Sequence, residues 1–111
     1  MVDQKDPRLE ARKILRCVAK ISLSNANATQ IKARTIDISM SGISVMLDEP
    51  IATAQQCTIA FEAPAGGKML KVNVTGKSMY CTCVGTSGFR VGFQFDQRNE
   101  AVAKTIRQLL L

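Results

Sequence analysis

The chain contains no histidine and no tryptophan among its 111 residues. Without histidine there is no Ser-His-Asp triad and no Cys–His pair, and most zinc sites lose their usual ligand. Aromatic residues make up 5% of the chain, which poorly supplies a single-strand nucleic-acid platform built on stacked rings. No apolar run approaches the ~18 to 20 residues that span a bilayer. The start, Met1-Val2-Asp3-Gln4-Lys5-Asp6, is polar and mixed in charge, unlike a secretory leader. No carboxylates pair in a chemical motif, and Ser39 lacks any base, so the chain is not expected to be an enzyme. These absences lead to an expectation of a cytoplasmic protein with no metal, no cofactor, no membrane insertion and no specific nucleic-acid partner.

Cysteine is sparse as well. Cys17, Cys57, Cys81 and Cys83 are scattered, and Cys81-Thr82-Cys83 is a CxC rather than the CxxC of a metal knuckle or redox centre. Reduced, packed thiols are expected, because a free cysteine behaves as a small buried hydrophobe. What remains is ordinary globular material: 46% apolar and 22% charged residues, in a length suited to one domain whose core needs no staple. Fifteen Lys and Arg against nine Asp and Glu leave a net charge of +6. That balance suits an anionic partner, and it also serves solubility.

Residues 1–16 are a charged arm, with Lys5, Arg8, Arg12, Lys13 and Arg16 against Asp3, Asp6 and Glu10. They read as a flexible segment ordered on binding, or as an irregular lead-in. Residues 17–111 read as one uninterrupted domain. Alternating apolar and polar residues predict strands over 17–23, 30–38, 43–47, 57–63, 68–75, 77–84 and 89–95. Turns fall at Ser24–Asn27, Ser39–Gly42, Pro64–Gly67 and Gly85–Gly88, with Gly76 read as a bulge or bend. A helix is expected from about Glu100, capped by Asp96 or Asn99, because Val102, Ile106, Leu109 and Leu110 form one apolar stripe. Six or seven short strands and one terminal helix predict a mainly β fold. A small antiparallel barrel or sandwich would close it, the helix covering a barrel mouth or an open edge.

Two motifs stand out on this pattern. Arg12-Lys13-Ile14-Leu15-Arg16 is an RxxxR just before the first strand, and Asp37-Ile38-Ser39-Met40-Ser41-Gly42 is a DxSxxG at the turn between the second and third. Each is ordinary alone: the first as a solvated charge run, the second as a hairpin turn. Two arginines four apart share one helix face. On an extended chain they also point the same way, roughly 13 Å apart. A guanidinium fork grips guanine O6 and N7, or a phosphate.

The pair of motifs, in this order on an all-β pattern, resembles the PilZ domain family of bacterial cyclic di-GMP receptors. Gly88-Phe89-Arg90-Val91-Gly92-Phe93-Gln94-Phe95 followed by an amphipathic helix is also similar to that family, so the resemblance spans about residues 8–111. It implies a six- to seven-stranded antiparallel PilZ-type β-barrel with one C-terminal helix. It also implies cyclic di-GMP as ligand, held by Arg12, Arg16, Asp37, Ser39 and Gly42. Asp37 supplies the acceptor that the guanine N1–H and 2-amino edge requires, and Ser39 adds a contact to base or phosphate. Gly42 is expected to allow positive φ and a close backbone approach. Which arginine reads a base and which holds phosphate stays open. Arg8-Leu9-Glu10-Ala11-Arg12 is a second RxxxR; Arg12 and Arg16 are preferred because Arg16 abuts the first strand. Arg8, Lys13, Ser41 and Arg90 are secondary contacts or plain surface residues. The expected mechanism is that the ligand orders the arm onto the barrel and changes the surface shown to an effector protein. Monomer or weak homodimer is expected. The alternative is a PilZ-like interaction module that works without nucleotide.

Overall fold

The computed structural model describes residues 11–25, 27, 29–96 and 100–111. Seven strands are present: β1 (Arg12–Ile14), β2 (Val18–Leu23), β3 (Gln30–Ser39), β4 (Gly42–Leu47), β5 (Gln56–Ala65), β6 (Lys68–Cys83) and β7 (Phe89–Phe95). One helix, α1 (Glu100–Leu110), follows. All pairings are antiparallel. The order β3-β2-β5-β6-β7-β4 closes on itself through β4 and β3, and β1 adds to β3 outside that ring. The fold is therefore a closed six-stranded barrel with one extra strand, and the sandwich alternative is set aside.

Period-two alternation builds the interior. Cys57, Ile59, Phe61 and Ala63 of β5 point inward, as do Val72 and Val74 of β6. Ile21, Ile38, Val45 and Val91 complete the same cluster. Each large aliphatic side chain buried this way contributes about 1.5 to 3 kcal/mol. Helix α1 packs on β3, β5 and β6, and its Ile106 and Leu109 join the barrel core. It plugs an end of the barrel, as its apolar stripe predicts. Asp96 accepts a hydrogen bond from the Gln56 side-chain amide, while Asn99, the other candidate cap, lies outside the described residues.

Three local readings are corrected. Residues 68–83 form one strand with no break at Gly76. Gly76 sits where β6 passes from β5 to β7, pairing with Cys57 and Phe95 at once. A Cβ there would lie 2.7 Å from the Gln94 carbonyl oxygen, so the glycine serves close approach rather than a bend. The irregularity falls instead between Ser78 and Tyr80. The β5–β6 turn is only Gly66–Gly67, since Pro64 and Ala65 still pair with Met69 and Lys68. Finally, Arg12–Ile14 of the arm is a strand. The expected number of strands is met because one strand is gained in the arm and two merge in β6.

Candidate functional site

Strands β1 and β2 lie end to end along the same side of β3. β1 pairs Arg12 with Ser39 and Ile14 with Asp37; β2 pairs Val18 with Arg34. Between these anchors β3 advances three residues while the arm advances four. Thr35, almost fully buried, stitches the mismatch. Its hydroxyl donates to the Leu15 carbonyl at 2.8 Å and accepts from the Cys17 N–H at 2.8 Å. Leu15 turns inward as a core residue, and Arg12, Ile14, Arg16 and Val18 all stay exposed.

The β3–β4 pairing carries a second irregularity, between Thr35 and Asp37. Strict alternation from inward-facing Thr35 would send Asp37 inward too. Instead Thr35 and Ile38 are buried, while Ile36 and Asp37 both reach the surface. A bulge that re-aims a side chain is a recurrent device beside binding sites, and here it makes the acidic residue of the DxSxxG pattern accessible. Two arginines converge on it. Arg12 Nη1 lies 3.0 Å from Asp37 Oδ1, and Arg90 Nη2 lies 3.5 Å from Oδ2. Arg90 is placed by the β4–β7 register, opposite Met46.

Ser39 and Gly42 play a different part. Ser39 is completely buried. Its Oγ accepts from the N–H groups of Ser41 and Gly42, both at 3.3 Å, and contacts the Ser41 hydroxyl at 3.5 Å. Gly42 lacks the positive φ expected of it. A Cβ on Gly42 would fall 2.3 Å from the Phe93 carbonyl oxygen of β7, so close packing of strands is what demands glycine. Ser41 is exposed and its carbonyl accepts the Phe95 N–H at 2.8 Å.

Across the barrel surface the register runs from Asp37 to Ser44, Gly92 and Tyr80. The Tyr80 ring lies over Gly92, where a Cβ would meet Cε2 at 2.2 Å. Its hydroxyl is 3.3 Å from Ser44 Oγ. Tyr80, 40% exposed, shares a cleft of about 190 Å³ with Arg12, Ser41, Ser44 and Met79. The motifs do not include it, because its partner Gly92 is set by the β6–β7 register rather than by any local pattern. A second, larger groove of about 520 Å³ is lined by Ile14, Arg16, Arg34, Ile36 and Met46, a volume in the range of small-molecule sites, roughly 300 to 1,000 Å³. Asp37 pairs with Ile14 of the groove on one side and Ser44 of the cleft on the other. Among the described residues Arg16 makes no hydrogen bond or ion pair.

The structure thus brings Arg12, Asp37, Arg90 and the Ser39–Gly42 turn together, with Arg16 in the neighbouring groove. Lys13 lies apart, beside Gly66, Gly67 and Gln108, and Arg8 lies outside the described residues. No group of three His, Cys, Asp or Glu side chains gathers as metal ligands among the described residues, and no helix there is long and apolar enough to cross a membrane.

The fold has known counterparts. The model of the PilZ domain matches residues 4–111. The chain belongs to the PilZ domain family. No curated protein matches the chain. Among solved structures it is similar to the Bacillus subtilis inhibitor of motility MotI/DgrA, with a TM-score of 0.76 and 10% identity. That match covers 99% of this chain and 50% of the other, so the chain spans half the length of the B. subtilis protein. The PilZ domain of YcgR from Escherichia coli, solved with c-di-GMP, matches with a TM-score of 0.68 and 12% identity over 96% of this chain and 89% of that one. The Borreliella burgdorferi PlzA protein in complex with c-di-GMP matches at 0.56 and 18% identity, over 100% of this chain and 38% of PlzA. At these identities the likeness is one of fold.

Proposed function

We propose that this PilZ domain is a cyclic di-GMP receptor and adaptor, and that Arg12, Arg16, Asp37 and the Ser39–Gly42 turn form its site. The observation that carries the reading is Asp37, turned outward by a bulge and met by Arg12 from the arm beside the DxSxxG turn. Two c-di-GMP-bound PilZ neighbours support it.

The geometry suggests an exchange of partners. Arg12 rests on Asp37 in an exposed ion pair, worth at most about 1 kcal/mol. The dianionic ligand takes Arg12, and Arg16, which has no ion-pair partner among the described residues, by charge-assisted bonds. Asp37, released from Arg12, then offers its oxygens to a guanine N1–H and 2-amino group, while Arg90 keeps its charge balanced. The half-exposed ring of Tyr80 offers a stacking face for a base. Strand β1 is three residues long and wholly exposed, so its hold on β3 is easily remodelled. Fastening the arm through residue 16 changes the surface read by an effector protein. Ser39 and Gly42 act by shaping the turn, and Ser41 and Arg90 are secondary contacts. The domain acts in the cytoplasm, as monomer or weak homodimer, and without catalysis: the only groups Ser39 Oγ meets among the described residues are Ser41 and Gly42.

Calorimetric titration with cyclic di-GMP, with GTP as control, tests this. Wild type should bind with an affinity that falls with salt. Arg16→Ala and Asp37→Ala should each weaken binding at least about tenfold with the fold intact. One observation favours a second reading, a nucleotide-independent interaction module: both oxygens of Asp37 already have guanidinium partners. No heat with wild type would select that reading.

A further inference from the structure

On the far side of Arg16 from Asp37, the outer faces of β2, β5 and β6 form an open groove of about 960 Å³. Its floor is aliphatic. Val18 is 62% exposed and Met69 59% exposed, with Ala60 between their strands. Its rim is basic: Arg16, Lys20, Lys32 and Lys71.

The rim has an unusual arrangement. Lys20 and Lys32 stand directly opposite each other on β2 and β3, and like charges in that position destabilise a sheet. The next pair on that face puts Val18 opposite Arg34, another cation. Glu62 is the one acidic residue lining the groove. It faces Lys71 in register, yet no lysine of the rim forms an ion pair among the described residues. Exposed aliphatic surface ringed by uncompensated cations is a cost to the free domain that a complementary partner would remove.

We infer that this groove docks an acidic amphipathic segment of a partner protein, with aliphatic side chains on Val18 and Met69 and carboxylates on Lys20, Lys32 and Lys71. Nucleic acid fits less well, because the floor is aliphatic and presents no exposed aromatic ring for stacking. A lipid surface fits less well because the apolar residues line a concavity. Arg16 lines both this groove and the one beside Asp37, so a ligand that draws on Arg16 alters the rim. The assignment deepens the adaptor reading and rests on it for the link to nucleotide, while the docking chemistry stands on the groove alone.

The test is selection of short random peptides displayed on phage against the wild-type domain, followed by anisotropy titration of the selected peptide. Enrichment of Asp or Glu interleaved with Leu, Ile or Val is expected. Affinity should fall at least about tenfold in the Lys20→Glu/Lys32→Glu double variant. Cyclic di-GMP binding by that variant should stay within about threefold of wild type, since neither lysine touches Asp37 or its arginines. Lys20→Glu alone turns the like-charge pair into an opposite one, and its melting temperature should not fall. If the double variant does not fold, Lys20→Gln/Lys32→Gln serves in its place. Selection without acidic consensus, no enrichment, or binding that survives both charge variants overturns the inference. So does displacement of the peptide by duplex DNA or phosphatidylglycerol vesicles at equal charge. Peptide binding without heat from cyclic di-GMP would keep the docking face and remove the receptor reading.

Discussion

The β5–β6 hairpin turns on Gly66 and Gly67, whose φ angles are 57 and 80 degrees, and an added Cβ at either would meet nothing within 4 Å. The β3–β4 turn also ends on glycine, but no residue from Ser39 to Gly42 has positive φ. There the Cβ of an alanine would strike the Phe93 carbonyl oxygen, and a buried serine hydroxyl takes up two backbone N–H groups. The first turn uses glycine for conformation and stands free in solvent. The second uses it for space and is locked into the barrel wall. A connector needs only to reverse the chain. A turn that positions Asp37 and receives the arm must also hold one shape.

That contrast can be broken from either side. Gly42→Ala should have the largest effect, about 3 kcal/mol of stability and a melting temperature lower by more than about 10 °C, because the obstructing atom is backbone and cannot swing away. Ser39→Ala should cost about 1 to 2 kcal/mol by leaving two N–H groups without their acceptor, and should weaken cyclic di-GMP binding measured by calorimetry. Gly67→Ala should cost about 1 kcal/mol by left-handed strain alone, and should leave nucleotide binding unchanged. Equal losses from Gly42→Ala and Gly67→Ala in thermal melts would erase the distinction.

The effect that vanishes at neutral pH tests the barrel beneath both turns. Desolvation by burial pushes the Cys57 thiol from 9.0 up to about 11. The folded state therefore holds a proton that the unfolded state releases between those values. This contribution to stability is complete below pH 9 and is lost as the pH rises toward 11. Stability measured by urea melts should decline across that window. At neutral pH a thiol reagent should modify exposed Cys83 before Cys57.

Much of this was legible in the sequence, and the misses share a cause. Strand interiors such as Cys57 to Ala63 and the α1 stripe declare themselves, because periodicity reports which face is buried. The motif residues stand out because Arg, Asp and Ser carry recognisable chemistry. Gly76 was misread because a residue shared by two neighbouring strands looks, in one dimension, like a break. Gly42 was assigned the wrong reason, since its constraint comes from Phe93, far along the chain. Strand β1 escaped notice because all three of its residues are exposed; only pairing with β3 makes it a strand. Tyr80 belongs with these: its place in the cleft depends on two strand registers that no local pattern encodes.

The irregularity between Thr35 and Asp37 has a consequence for how such sites are recognised at all. Pairing β3 through Ile36 without that bulge would leave RxxxR and DxSxxG letter-perfect. It would also restore strict alternation and send Asp37 toward the interior, out of reach of Arg12 and Arg90. A scan for either motif would score such a chain as intact, while its carboxylate faced a wall of valine and isoleucine. The signature is thus spelled by six letters but made meaningful by parity upstream of them, and a silent member of this family could carry every diagnostic residue.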